Sequence, residues 1–417
     1  LGLQHVVAAV VGVITPAILV ADTCGLSSAD KTLMIQVSLI LTALATLLQL
    51  FPIFHRIGSG LPVIMGISFA YIPTLQAIGG EFGLPTILGA EIVGGIVAIV
   101  FGVLVKWIRP LFPPLVTGTV IFTIGLSLYP TAVKYMAGGA GSEWFGSAKS
   151  WAVALITLAV VVFLNHFTKG ITKLASILIG ILAGYVIAYF LGIVDLSGVG
   201  SAAWVALPRP MPFDIQFVPA ACVSLGIVYV VNAVQTIGDL SSTTMGGMDR
   251  MPTDKELSGG IVGQGVMSIL GAFFGGLPAA TYSQNVGIVT VNRVINRAVF
   301  ALAALILLVA GLVPKFASLL TTIPQCVIGG ATISVFATIT MTGIRMITEG
   351  GFTPRKSSVV GLSVALGVGI TQVSGCLAGE GFPAWVNTVF GSSSVVVAAL
   401  MAILLNLILP KEPSANG

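Results

Sequence analysis

The sequence predicts an all-α polytopic membrane protein, with fourteen transmembrane segments in two inverted repeats of seven and short antiparallel β-strands in spans 3 and 10. Three observations predict it. Of the 417 residues, 56% are hydrophobic and only 8% are charged, whereas about 25% of residues in soluble domains are charged. Apolar runs recur from end to end, each of the roughly twenty residues needed to cross a hydrocarbon core of about 30 Å. Matched segments bearing Gly and Pro reappear near the middle of the chain, the mark of an internal repeat.

In chain order, long spans lie near 3–22 and 33–54, and a short, interrupted one occupies 61–80. Four more follow near 84–105, 112–130, 150–166 and 173–193. After a polar link the pattern resumes at 219–245 and 257–275 and shortens again at 280–293. It closes with 295–313, 318–346, 355–375 and 391–409. The sequence opens at Leu1 rather than Met, so upstream residues are expected and no signal peptide is sought. Cys24, Cys222, Cys326 and Cys376 stand apart without a CxxC pair and read as reduced, buried thiols. The chain contains no P-loop, HExxH or His/Cys cluster. Neither an enzyme nor a metal or cofactor is expected, and any pumping draws on an ion gradient, with H+ as the expected coupling ion.

Thirteen of the eighteen Lys and Arg residues fall in even-numbered links or the C-terminal tail, among them Arg56, Lys106, Arg109, Arg293, Arg355 and Lys411. Only Lys31, Lys134, Lys149, Arg209 and Lys315 fall in odd-numbered links. By the positive-inside rule both termini are cytoplasmic, in the plasma (bacterial inner) membrane. Because the charges sit at span ends, the net charge of +4 points to no nucleic-acid partner.

The segments Phe112–Gly118 and Ile323–Gly329 share Pro, Val and Gly 211 positions apart. Gly60-Leu61-Pro62 and Gly276-Leu277-Pro278 each open a short span and stand 216 apart. An odd number of spans separates the copies, so the halves have opposite topology. Inverted halves that each hold a Gly/Pro-broken span are the pattern of secondary transporters.

Non-helical backbone at membrane depth survives only where protein or a water-filled cavity satisfies it. Extended pieces around 66–71 and 281–286 are therefore expected to pair as a small antiparallel ladder. Each would feed a half-helix whose N-terminus aims free N–H groups and partial positive charge at mid-membrane. The polar clusters Gln235–Asp239 and Tyr282–Gly287 would face each other there and hold a small polar solute.

Asp239 has two readings: a functional acid, since an intramembrane carboxylate is costly unless paired or protonated, or a span end that reaches water. Gln235, four residues earlier, shares its helix face. Its amide donates and accepts, which suits a nucleobase edge; helix packing is the alternative. Gln284 and Asn285 add two amides on the second extended piece. Phe69 lies in the first piece, where it would stack on a flat heterocycle or simply pack. The backbone at Gly12 and Ser283 is expected to line the site. His5 hydrogen-bonds within the core or senses protons. Glu91 is expected to pair with a polar group of its own bundle, and Arg293 and Arg297 read as cytoplasmic anchors.

These residues resemble the nucleobase–ascorbate transporter (nucleobase–cation symporter) family. Its signature is Gln/Glu/Pro-Asn-x-Gly, four variable positions, then Thr or Asn before a basic residue or Gly. Gln284-Asn285-Val286-Gly287 with Asn292-Arg293 fits it. The likeness continues through Gln4-His5, Ser68-Phe69-Ala70-Tyr71, Leu111-Phe112-Pro113-Pro114 and Ile323-Pro324 to Gly329-Gly330, covering nearly the whole chain. The resemblance implies a core domain of spans 1–4 (residues 1–108) and 8–11 (219–316), and a gate domain of spans 5–7 (109–218) and 12–14 (317–417). It further implies a substrate held between them against spans 3, 8 and 10, proton-coupled uptake by movement of core against gate, and a homodimer through the gate domains. Gln-Asn in span 10 resembles the purine branch (xanthine, urate), and Asp239 four residues beyond Gln235 resembles the xanthine type.

One departure stands out. The family usually has Glu, tied to proton coupling, where this chain has Gln235. Three readings follow: the coupling acid has moved to Asp239, with His5 in the same polar network; the carrier is uncoupled or takes an anionic purine; or a Glu→Gln change was engineered. The expected function is import of a purine nucleobase, xanthine before urate, with Gln235 and Gln284 on its amide-like edges and Phe69 against its face. A uracil permease, or an anion transporter or exchanger of the same inverted-seven architecture, is the alternative.

Overall fold

A computed structural model describes residues 2–410 apart from 55, 109–111, 197–198, 201, 350, 374 and 392, and for 284, 291 and 384 the backbone alone. Arg109, Leu111 and Lys411 thus lie outside the described residues.

The first half runs α1 (Gly2–Thr23), α2 (Ser28–Leu50), β1 (Met65–Ile67), α3 (Ile72–Phe82), α4 (Leu84–Val103), α5 (Pro114–Met136), α6 (Ala148–Phe167) and α7 (Ser176–Phe190). The second half repeats that order. It runs α8 (Pro219–Met248), α9 (Asp254–Phe273), β2 (Ala279–Thr281), α10 (Ser283–Asn292), α11 (Arg297–Gly311), α12 (Gln325–Thr348), α13 (Pro354–Gln372) and α14 (Ser394–Ile408). A short helix, Pro314–Thr321, follows α11 at a 79° bend.

The helix starts follow the usual chemistry. Ser27 accepts from the Asp30 N–H to begin α2, and Thr253 with Glu256 forms a capping box at α9. Proline occupies the first turn of α4, α5 and α8, where its missing N–H costs nothing. Among the described residues, seven helices are long and apolar enough to cross a bilayer, or eight with the bent pair counted as one. The expected fourteen exceed that number because α7 and α14 have only 15 residues each, the helices of the two broken spans are shorter still, and α9 and α13 are less apolar.

The helices pack in two groups. In one, α1, α2, α4, α8, α9 and α11 surround the strands; in the other, α5 and α12 form the spine against which α6, α7, α13 and α14 pack. Glycine sets the spine's closeness. A Cβ at Gly343 would lie 2.4 Å from the Phe122 backbone nitrogen, and one at Gly329 would lie 2.3 Å from that of Met136. Such small residues let membrane helices approach closely. Those contacts pair the start of each helix with the later part of the other, so α5 and α12, the two copies of the repeated Pro–Val–Gly segment, run antiparallel. On α6, Leu155, Ile156, Val162 and Phe163 are exposed, an apolar face suited to lipid.

The two strand-to-helix segments, Met65–Phe82 and Ala279–Asn292, differ in detail from the expected broken spans. The extended pieces are shorter: residues 69–71 form a turn, and from Ser283 the chain is already helical. Phe69, Gln284 and Asn285 therefore sit at helix beginnings rather than on strands. Ser68 causes the first switch, because its hydroxyl accepts from the Ala70 N–H at 3.1 Å and turns the chain after β1.

Candidate substrate-binding site

β1 and β2 pair antiparallel, with Met65 opposite Thr281, Gly66 opposite Ala280 and Ile67 opposite Ala279. The two breaks thereby satisfy one another's backbone. Gly66 is demanded by what lies over it. A Cβ there would stand 2.4 Å from the Tyr282 ring, whose hydroxyl donates to the Ile67 carbonyl at 3.0 Å. The same phenol crowds half-buried Gly12 on α1, where a Cβ would sit 3.1 Å from the hydroxyl oxygen. Tyr282 thus wedges α1 and both strands into one unit.

After Tyr282, α10 starts without a side-chain cap. Its first amides have no intrahelical acceptor and carry the positive end of the helix dipole. Beside them α8 presents Gln235 and Asp239 one turn apart. Asp239 is buried and accepts from the Thr281 hydroxyl at 2.6 Å and the Ser283 hydroxyl at 2.7 Å. Gln235 is half-buried, and its Nε2 donates to the Ser283 oxygen at 3.5 Å. One chain of hydrogen bonds therefore runs from Gln235 through Ser283 to Asp239. The reading of Asp239 as a span end that reaches water is corrected: it is enclosed, and hydroxyls do the work of water.

Phe69 is buried, its ring edge-on to Phe336 of α12 at 5.4 Å between centroids and 74° between planes. A buried network holds its turn. Gln264 on α9 accepts from the Thr236 hydroxyl at 2.7 Å and donates to the Asn232 carbonyl oxygen at 2.5 Å and to the Tyr71 hydroxyl at 3.2 Å. Asn232 in turn donates to Ser68 at 3.4 Å.

The structure sorts the remaining candidates. Asn285 lies buried against His5, its Nδ2 donating to the His5 carbonyl at 3.0 Å and standing 3.0 Å from His5 Nδ1. The His5 ring packs on Phe300 with centroids 4.5 Å apart. This pair fastens α10 to α1, whereas Ser283 stands on the exposed side. Gln284 is placed by its backbone in the first turn of α10; its side chain lies outside the described residues. Glu91 is fully buried, and neither carboxyl oxygen has a hydrogen-bond partner among the described residues, so the expected polar mate is not found.

Tyr282 opens the expected polar stretch, though its wedge on Gly66 and Gly12 was not foreseen, and Phe336, Thr281, Gln264 and Asn232 were not singled out. Thr281 adjoins that stretch, and Gln264 is an amide within an apolar helix, so these carried a signal. Phe336 sits between Val335 and Ala337 and carried none. Together the residues bring an aromatic ring, the Gln235 amide, the Ser283 hydroxyl and a helix N-terminus close to one another, an arrangement able to grip a planar solute with donor and acceptor edges.

The sequence profile of the Permease family (Xan_ur_permease) matches residues 1–375. Relatives include the xanthine permease of Bacillus subtilis (strain 168), 35% identical over 98% of this chain and 92% of that one. The uric acid permease PucK of the same strain is 35% identical over 100% and 96%. The uric acid transporter UacT of Escherichia coli (strain K12) is 32% identical over 98% and 85%. Among solved structures, the fold is similar to the transmembrane domain of the cyanobacterium bicarbonate transporter BicA, with a TM-score of 0.60 at 17% identity over 97% and 96% of the two chains. It is also similar to the murine anion transporter Slc26a9, with a TM-score of 0.64 at 10% identity over 97% and 67%.

Proposed function

Since the chain belongs to the Permease family, we propose that it is a secondary transporter that imports a purine nucleobase, xanthine before urate, with H+ as the coupling ion. The observation that carries this reading is the β1–β2 pairing, which sets the N-terminus of α10 beside Gln235. The relatives' purine substrates agree with it.

The architecture under this reading is fourteen spans in two inverted sevens, with both termini in the cytoplasm. In its support, the second half repeats the element order of the first, and two repeat-related pairs, β1 with β2 and α5 with α12, run antiparallel. The helix group around the strands is the core (1–108 and 219–316), the α5–α12 group is the gate (109–218 and 317–417), and gate surfaces join two copies into a dimer.

The purine lies with one face on Phe69, its edges on Gln235, Gln284 and the first amides of α10. Proton coupling runs through Ser283. With Asp239 ionised, the Ser283 proton points at the carboxylate and its oxygen takes the Gln235 NH2, which leaves the Gln235 carbonyl for a purine N–H. With Asp239 protonated, the Ser283 proton is free to turn to Gln235, and the amide turns over to offer NH2 to a purine carbonyl. One hydroxyl thereby links the charge of the acid to the edge that the site recognises, without a titrating group at position 235. An anion is the poorer substrate, because the Asp239 charge opposes it.

Uptake of radiolabelled xanthine into cells or proteoliposomes tests the reading. Xanthine and then urate are expected to compete, with uracil and sulfate inert. Competition by sulfate with none by purines would replace this reading with the anion carrier.

A further inference from the structure

One carboxylate ties the two helix groups together at a single end of the molecule. Asp22, in the last turn of α1, accepts from the Tyr135 hydroxyl at the end of α5 at 2.8 Å and from Gln325 Nε2 at the start of α12 at 2.6 Å. Its other oxygen is paired with Lys31 of α2. Asp22 and Lys31 belong to the group around the strands, Tyr135 and Gln325 to the spine, so the carboxylate bridges bodies that must part if one moves on the other.

Further side-chain hydrogen bonds join the groups at the same end, among them Thr131 to Gln76 at 3.2 Å, Thr74 with Ser393 at 2.8 Å, Thr388 to Glu81 at 3.3 Å and Thr86 to Gln216 at 3.5 Å. A cleft of about 890 Å³, lined in part by Asp22, Lys31, Trp144, Thr322 and Gln325, reaches the bridge from outside the bundle.

The opposite end is different. From Gln235 a stripe of exposed positions continues down α8 through Gly238, Ser242 and Met245, and on α10 it runs through Ser283, Gly287 and Thr290. A Cβ at Gly238 or Gly287 would meet nothing within 4 Å. The stripe leads from the site toward the ends of α8 and α10, away from Asp22.

We propose that Asp22 is the outer gate residue of the transport cycle: its bonds to Tyr135 and Gln325 hold the site shut toward the outside while the stripe leaves it accessible from the cytoplasm. The proposal rests on the core-and-gate reading and the orientation given above. Opening outward requires that both bonds to Asp22 break while the Lys31 pair stays, because Lys31 moves with Asp22. The ion pair keeps the carboxylate compensated when its gate partners leave, so the latch releases without stranding a bare charge.

The test is a distance measurement that needs no substrate. With the four native cysteines replaced by Ser, spin labels go on Gly80→Cys of α3 and Val133→Cys of α5, exposed positions on the two bodies at the Asp22 end. A single short distance is expected, and Tyr135→Phe combined with Gln325→Leu is expected to add a longer one. Tyr135→Phe alone removes only a hydroxyl, so it gives a smaller shift in a protein whose packing is kept. A distribution unchanged in both variants would overturn the latch. In vesicles the same variants populate the outward-facing form and are expected to lower the KM for xanthine uptake several-fold, since apparent affinity scales with the competent fraction. If the unmutated protein takes up no purine, the substrate reading fails, and the spin-label distances still decide the latch.

Discussion

The two strand-to-helix breaks share a backbone plan and divide the chemistry between them. In the first, Met65–Phe82, the polar side chains at the break (Ser68 and Tyr71) are buried and turned inward to Gln264 and Asn232, and the proposed ligand contact is the aromatic Phe69. In the second, Ala279–Asn292, the hydroxyls of Thr281 and Ser283 are tied to Asp239, and Ser283 remains exposed beside Gln235. Repetition supplied the frame, a strand running into a half-helix in each half. Asymmetric side chains then made one break a wall and the other a set of hydrogen-bonding groups that answer to a charge.

The comparison breaks most completely at the polar break. Gln284→Ala is expected to abolish xanthine binding and Gln235→Leu to weaken it by about 100-fold, since a buried polar edge left without its partner costs about 1–3 kcal/mol per group. Unchanged affinity in a thermal-shift titration would remove these residues from the site. Asp239→Asn comes next, because it keeps one acceptor oxygen, offers an NH2 to the other hydroxyl, which can rotate to accept, and removes the charge. Uptake driven by an inward pH gradient is expected to vanish while xanthine exchange continues; accumulation that persists would take the coupling proton away from Asp239.

A valine at the aromatic break tests the frame itself. Gly66→Val pushes a side chain into the Tyr282 ring and is expected to cost about 1–3 kcal/mol of stability, seen as a lower melting temperature in detergent; an unaltered melt would mean that Tyr282 is not wedged there. Phe336→Ala should have the smallest effect. It removes the edge that fixes Phe69, an aromatic contact of about 0.5–1.5 kcal/mol, so xanthine affinity is expected to fall about 2- to 10-fold with transport retained. Isothermal titration would register it, and a loss as large as that of Gln235→Leu would move Phe336 from support to direct contact.

Sequence legibility followed the same division. The strand-to-helix breaks were readable because Gly/Pro tripeptides and polar runs are out of place among apolar residues, and the repeat spacing told which segments correspond. Asp239 and Gln235 were readable for the same reason. What could not be read was where the strand ends. Ser68 and Tyr282 stop it within a few residues through local bonds that leave no periodicity, which carried Phe69, Gln284 and Asn285 onto helix beginnings. Nor could an alternating or helical pattern show that Asn285 turns to His5 while Ser283 turns to Asp239, because that choice depends on neighbours 280 and 44 positions away. Phe336 was invisible for the plainest reason: an aromatic in an apolar helix looks the same whether it meets lipid, a neighbouring helix or the ring of Phe69.

The account stands or falls on whether the meeting point of the two breaks is where a purine sits. An electron cryo-microscopy map of the protein saturated with xanthine measures this directly. The expected result is flat density with its face on Phe69 and its edges at Gln235 and the first turn of α10. A xanthine resolved elsewhere, or unbroken helices through Met65–Phe82 and Ala279–Asn292, would contradict it.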